Sequence, residues 1–383
     1  MGADTGFRCR RGRGGEAGLP VQALRRDNPV SAPLILGAGP AGCAAAITLA
    51  EQGRTPILID RDVKVGDPLC GGFMSWRTVA ALRELGVDPT ALGAHRVERL
   101  MLFAGDREAQ ARLPEAAWGL SRHALDTALR ARAISLGARL EIDRARSLSS
   151  GRIEGERQEW RGDTIFLATG KHDVRGETRP REASDPALGV RVRIPAHPDL
   201  SRLIGDAIEL HLFDGAYAGI VLQEDGSANV CLALRKSRLS RDGSPLELLR
   251  SLADRYPAFA ERWRHAPDDL AIDTVGSVPY GWIADGTDPG LYRLGDQAAV
   301  IPSLAGEGMG IAIASGRSAA QAFLEGKAAP VWQGEFARRA ARPVTVAEAI
   351  WKAAETPGLA RLGLAAATLI PGLATMAMRA SRI

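Results

Sequence analysis

The chain has 383 residues, 45% hydrophobic and 25% charged, with a formal net charge of +4. That is ordinary soluble globular composition, long enough for two domains or one large domain with an insertion. Beyond the first 30 residues the basic side chains alternate with acids and form no stripe with interleaved aromatics, which argues against a nucleic-acid partner.

In chain order, residues 1–30 are rich in Arg and Gly and lack the apolar stretch of a secretory signal; they read as a disordered leader or a misplaced start. Pro33–Leu36 is a short apolar run stopped by Gly37, the mark of a buried parallel strand. Gly37, Ala38, Gly39, Pro40, Ala41 and Gly42 then match GxGxxG, an Ala-rich helix is expected over Cys43–Gln52, and Thr55–Ile59 predicts a second strand closed by Asp60. Gly37 suits the tight turn, Gly39 lets backbone amides approach a pyrophosphate, and Gly42 allows close helix–strand packing. The helix N-terminus favours the phosphates, and Asp60 suits a ribose diol; an acid there speaks for NAD or FAD over NADP.

Gly119–Leu140 predicts a helix, and Asp163–Gly176 a buried strand ending at Ala168-Thr169-Gly170. Leu188–Ile194 alternates like a half-buried strand, and two antiparallel strands follow, joined at Glu224–Ser227. Leu291–Leu294 is a strand running into Gly295-Asp296; Pro302, Gly306, Gly308 and Gly310 follow, then a small-residue helix over Ile311–Phe323. Leu359–Met378 is apolar over 20 residues, nominally membrane length, but Pro371-Gly372 interrupts it. Two readings of that end stand: a helix packed on the cofactor domain, or a monotopic membrane contact flanked by Arg361, Arg379 and Arg382. The four cysteines form no CxxC pair and the six histidines no constellation, so no metal site is expected and a reducing cytoplasmic compartment fits.

The segment from Gly290 to Phe323 resembles the GD…P…GxGxxxA region of FAD-dependent oxidoreductases in the aromatic hydroxylase and geranylgeranyl reductase superfamily. Arg122, Leu125, Asp126 and Leu129 resemble its R-x-x-L-D-x-x-L pattern, and Cys70-Gly71-Gly72 resembles the CGG segment of geranylgeranyl reductase-like enzymes. At Ala168-Thr169-Gly170 the hydroxylases proper carry Asp-Gly, which this chain lacks. The resemblance implies an α/β, Rossmann-like FAD-binding domain with an inserted antiparallel β-sheet substrate domain and C-terminal helices. Its expected limits are 31–70, 119–176 and 283–326 for the FAD part, 71–118 and 177–282 for the substrate part, and 327–383 for the helical end.

It further implies that Asp60 and Arg61 serve the adenosine end of FAD. Arg122 serves the phosphates, Asp296 the ribityl chain, and Gly308, Met309 and Gly310 the flavin end, with Gly170 and Gly295 also binding the cofactor. Cys70 and Pro302 are expected beside the ring, where Cys70 could donate a proton. Met74, Trp76, Tyr217, Tyr280 and Trp282 are candidates for an apolar pocket. The leading expectation, by analogy, is hydroxylation of an apolar aromatic or polyketide-like substrate with NAD(P)H as transient donor and oxygen. Reduction of alkene bonds in a prenyl or lipid substrate is the alternative, and a flavin electron carrier for a quinone or protein the third.

Overall fold

A computed structural model describes residues 32–180, 183–370 and 372–383; the leader and Pro371 lie outside the described residues. The chain begins with β1 (Leu34–Leu36), α1 (Pro40–Glu51) and β2 (Ile57–Asp60). All three residues of β1 are buried, as in a strand covered on both faces. α1 has Pro40 in its first turn, where the missing N–H costs nothing, and is buried along most of its length.

β3 (Phe73–Met74), α2 (Trp76–Glu84), β4 (His95–Ala104) and β5 (Arg107–Gly119) follow, then α3 (Arg122–Ser135) and β6 (Arg139–Ile142). Ser75 and Ser121 cap α2 and α3 by accepting from backbone amides. β7 (Ala145–Ser149), β8 (Arg152–Gly155) and β9 (Glu159–Arg161) make a small antiparallel sheet before β10 (Ile165–Leu167). Next come β11 (Ala187–Ile194), α4 (Pro198–Ile204), β12 (Ala207–Phe213), β13 (Ala216–Leu222) and β14 (Ala228–Arg235). Short helices α5 (Lys236–Asp242), α6 (Pro245–Arg255) and α7 (Pro257–Trp263) lead to β15 (Ile272–Val278). The chain ends with β16 (Leu291–Arg293), α8 (Gly308–Leu324), α9 (Ala329–Ala354), α10 (Pro357–Leu369) and α11 (Leu373–Ala380).

Three layers surround a five-stranded sheet of order β16-β10-β1-β2-β6. Its pairs are all parallel, and Leu36 aligns with both Leu167 and Ile59. One face packs on α1, α3 and α8 through residues such as Ile35, Ile47, Leu125 and Ile313, and the other on Leu148 and Ile153 of the small sheet. Parallel register brings the C-terminal ends of β1, β2, β10 and β16 to one edge, the usual ligand edge of such a sheet.

An eight-stranded sheet of order β15-β11-β14-β13-β12-β4-β5-β3 belongs to the same compact unit, Ala32–Ile383. It is not wholly antiparallel: β12 and β4, which arrive from separate stretches of chain, pair in parallel. β11 is more buried than half-buried alternation implies, because its Arg191 is enclosed by Asp67 and Asp273. The C-terminal end differs from expectation as well. α10 and α11 pack on β4, β5 and β12 rather than on the FAD-side sheet. Both faces of that sheet are already covered, so the apolar face left for Ala360, Leu364 and Met378 is that of the larger sheet. α8 begins at Gly308, three residues before the expected start, which places the glycines in its first turn.

Candidate active site

A cavity of about 1160 Å³ lies against the C-terminal edge of the parallel sheet and extends beneath the larger sheet. That exceeds the roughly 300–1,000 Å³ of a single-ligand pocket. Gly37 has φ +108° at the end of β1, and a Cβ there would strike the Ala168 carbonyl. Only glycine meets both conditions. A Cβ on Gly42 would collide with the Gly37 carbonyl, so this residue sets the helix against its own turn. Gly37, Ala38, Gly39, Pro40 and Ala41 line the cavity, whereas Gly42 lies behind them.

Asp60 and Arg61 also line the cavity. The Asp60 carboxylate accepts from the Ala38 amide at 2.7 Å and the Asp62 amide at 3.0 Å, so it fixes the glycine turn while facing the cavity. Arg130 stands 3.5 Å away, and Arg61 reaches His172 Nε2 at 3.3 Å. Arg122 comes from the capped start of α3 and lines the same wall, donating twice to Asp126 at 2.8 and 2.7 Å. Burial alone would lower its pKa; the Asp126 carboxylate overrides that and raises it, so the guanidinium stays charged beside Gly39.

Further along, the cavity meets Gly170, Asp296, Gly308 and Met309. Gly295 sits just behind, its backbone N–H donating a hydrogen bond to Ser315 Oγ at 2.8 Å. Gly310 is inside the first turn of α8, where a Cβ would strike Glu307. Pro302 is buried and does not line the cavity, but Ile301 and Ser303 on either side of it do. Cys70 lines the opposite wall with Gly71 and Gly72. The loop is pinned there by Asn229, whose Nδ2 donates to the Cys70 and Gly71 carbonyls at 3.0 and 2.9 Å.

Beyond these groups the cavity becomes an apolar chamber. Leu100, Leu102, Leu210 and Leu212 of the larger sheet face Leu364 of α10 and Met378 of α11 across it. Tyr217 and Tyr280 line it as expected, but Met74, Trp76 and Trp282 do not. The two phenols converge on one hydroxyl: Ser303 Oγ lies 2.5 Å from the Tyr217 oxygen and 2.6 Å from the Tyr280 oxygen. Burial pushes both phenols well above the ordinary tyrosine pKa, keeping them protonated at neutral pH. Cys231 also lines the chamber, its thiol pushed up to about 12 by burial. Sequence reasoning missed Ser303 and Cys231 as chamber residues and the placing of the C-terminal helices over the chamber, since only the fold joins them.

The wall suits FAD. α1 and α8 open on the cavity with no side-chain cap and no acid in the first turn, leaving their amides for an anionic ligand. Residues 31–175 match the FAD binding domain family. Digeranylgeranylglycerophospholipid reductase 2 of Methanopyrus kandleri is 27% identical over 313 residues, covering 76% of each chain. Menaquinone reductase of Mycobacterium tuberculosis is 28% identical over 344 residues, covering 82% of this chain and 81% of that protein. This chain is an FAD-dependent oxidoreductase that resembles the aromatic hydroxylase and geranylgeranyl reductase enzymes. Its fold is shared with P. aeruginosa PqsL, solved with 2-aminobenzoylacetate, at a TM-score of 0.69 and 15% identity over 87% of the flavoenzyme and 98% of PqsL.

Proposed function

We propose that this flavoenzyme reduces alkene bonds in a prenyl chain or a similarly apolar lipid, with NAD(P)H as transient electron donor. The observation that carries the reading is the leucine-lined chamber, continuous with the FAD wall and offering hydroxyl protons beside it. Two curated relatives that span most of the chain are reductases. Residues 31–70, 119–176 and 283–326 would hold FAD, with Asp60 and Arg61 at the adenosine end, Arg122 by the phosphates and Asp296 by the ribityl chain. Gly170, Gly295 and Gly308–Gly310 would meet the flavin end, and 71–118 with 177–282 would form the substrate domain.

When bound, FAD supplies a hydride equivalent at its ring. The chain supplies the rest: an apolar bed that excludes water, and a proton for the second alkene carbon. The Tyr217–Ser303–Tyr280 cluster and the Cys70 and Cys231 thiols are proton-bearing groups that line the same cavity. The outer sides of α10 and α11, with the residue that follows α10, expose Leu362, Leu369, Ile370 and Met376 alongside Arg361 and Arg379. We read this surface as a peripheral contact with a lipid bilayer that delivers the substrate; no single described helix is long and apolar enough to cross one.

Hydroxylation of an aromatic ring, the leading expectation from sequence, is supported by fold likeness alone. Anaerobic incubation of the reduced enzyme with a prenyl substrate separates the two. A product two hydrogens heavier per bond, formed without oxygen, supports reduction; oxygen-dependent oxygenation with no anaerobic turnover overturns it.

A further inference from the structure

Glu307 holds the first position before α8, directly behind the turn that faces the cavity, and its side chain is 1% exposed. An acid at this place ordinarily swings forward to cap its own helix, because the free amides attract negative charge. Here it lies beside the first turn, its Oε2 where a Cβ on Gly310 would strike it, yet makes no cap bond. Its Oε1 instead accepts from Arg382 Nη1 at 2.8 Å. The same nitrogen donates to the Ala305 carbonyl at 2.5 Å.

The guanidinium is itself enclosed, 4% exposed, and lies 5.1 Å from the Trp76 ring centre and 6.0 Å from that of Phe73. Gly306, at φ +67°, packs on Phe73 so closely that a Cβ would lie 2.8 Å from the ring. One arginine thus grips both ends of the turn, through the Ala305 carbonyl and the Glu307 carboxylate. It belongs to the segment ending α11, the helix that roofs the chamber.

We propose that Arg382 is a positioning residue for FAD: it holds the Glu307 carboxylate behind the turn, so that the first amides of α8 stay open to the cofactor. The inference rests on reading Asp296 and Gly308–Gly310 as the flavin end of the site. Without Arg382, Glu307 keeps only its contacts with Ser75 and the Ile383 backbone, and can turn further onto the amides of its own helix. It then competes with the flavin, and most of all with the anionic reduced form. The same grip ties the roof to the cofactor, so displacement of α11 loosens the turn.

The test is FAD titration of the full-length apoprotein by flavin fluorescence, with the midpoint potential of the bound flavin as second readout. Arg382→Met is expected to weaken FAD binding roughly tenfold, the scale of one charge at a helix end, and to make the potential more negative. Arg382→Lys keeps a cation beside Glu307 and stays within about threefold of the parent. Glu307→Ala, and the double variant Glu307→Ala with Arg382→Met, remove the competing carboxylate and also bind FAD within about threefold.

A purely structural ion pair predicts the opposite: all three disruptive variants lose thermal stability, and FAD affinity either stays at the parent value or falls in step with it. Parent-like Kd and potential in Arg382→Met, or a double variant as weak as the single, overturns the proposal. Where Arg382→Met does not fold, Glu307→Ala decides alone: weak FAD binding by that folded variant refutes it. Asp296→Ala, run in parallel, isolates the underlying site reading. Unchanged FAD affinity there removes the site assignment whatever Arg382 does.

Discussion

Replacing Tyr217 by Phe removes one oxygen from the Tyr217–Ser303–Tyr280 cluster, in which Tyr217 is buried and Ser303 exposed, and leaves the rest of the chamber wall in place. In the parent, that phenol shares Ser303 Oγ with Tyr280, at 2.5 and 2.6 Å. Losing one such bond costs about 0.5–1.5 kcal/mol of stability, because Ser303 keeps its other partner. Ser303→Ala is the harsher change. It leaves the buried Tyr217 hydroxyl without a partner, at a cost of about 1–3 kcal/mol, whereas the more exposed Tyr280 hydroxyl can turn to water. Thermal unfolding should therefore rank the variants parent, Tyr217→Phe, Ser303→Ala. If the cluster delivers the proton, Tyr217→Phe should slow product formation by about 10²–10⁴, the usual scale of general-acid catalysis. FAD affinity and flavin reduction by NAD(P)H should not change. Rapid-mixing kinetics under anaerobic conditions, with flavin absorbance and product followed separately, reads both. Turnover of Tyr217→Phe within about twofold of the parent, with a folded protein, would refute the proton role.

Asp296→Ala should reduce FAD retention through gel filtration, read from the visible spectrum, and unchanged retention would remove its ribityl role. Gly37→Ala forces a side chain into positive φ, about 1–2 kcal/mol by itself, and against the Ala168 carbonyl, so loss of both Tm and FAD content is expected. Buried Glu209 and His211 set the acid limit. Burial alone would raise the Glu209 pKa, but hydrogen bonds from His211 and Arg262 outweigh it and lower it, so its stabilisation is present above the ordinary carboxylate pKa and is lost as pH falls through the lower, folded value. Burial lowers His211, so the unfolded chain takes up that proton first, and stability falls below about pH 6.5 by up to about 1.4 kcal/mol per pH unit. His211→Gln should flatten that slope in a Tm-against-pH series spanning about two units around the ordinary histidine pKa. Vesicles containing anionic lipid should co-sediment the parent but not a variant with Leu362→Glu and Leu369→Glu. Equal sedimentation of both would exclude the C-terminal helices as the contact.

The FAD wall was legible because its signals are local. Gly37 to Asp60 is a contiguous strand–turn–helix–strand, and each glycine there answers a backbone constraint that sequence alone poses. The register of β1, β10 and β16 then follows from three short apolar runs, each ending in a loop of small residues. The chamber was not legible for the converse reason. Tyr217 and Ser303 are 86 positions apart, and the pair Arg382–Glu307 is 75 apart. No periodicity reports such a contact. Packing of the C-terminal helices was misjudged because their apolar residues say only that they are covered, not by which sheet. Both faces of the parallel sheet were already taken, and that is a property of the assembled layers.

The same helices carry an argument about how the reaction is organised. α10 and α11 are apolar on the side that lines the chamber and also on the side that faces outward. An outward face that mixes exposed leucines with Arg361 and Arg379 suits the boundary of a lipid surface. With substrate on one side and an unpartnered apolar surface on the other, the helices form a wall whose energy depends on what lies against both sides. Arg382 extends that dependence to the turn before α8. By reciprocity, whatever seats the roof should tighten FAD, and FAD should favour the seated roof by the same factor. Chain-length selection and cofactor retention are then expected to respond together to substitutions at Leu364 or Met378, residues that line the chamber but not the glycine turns that receive the cofactor.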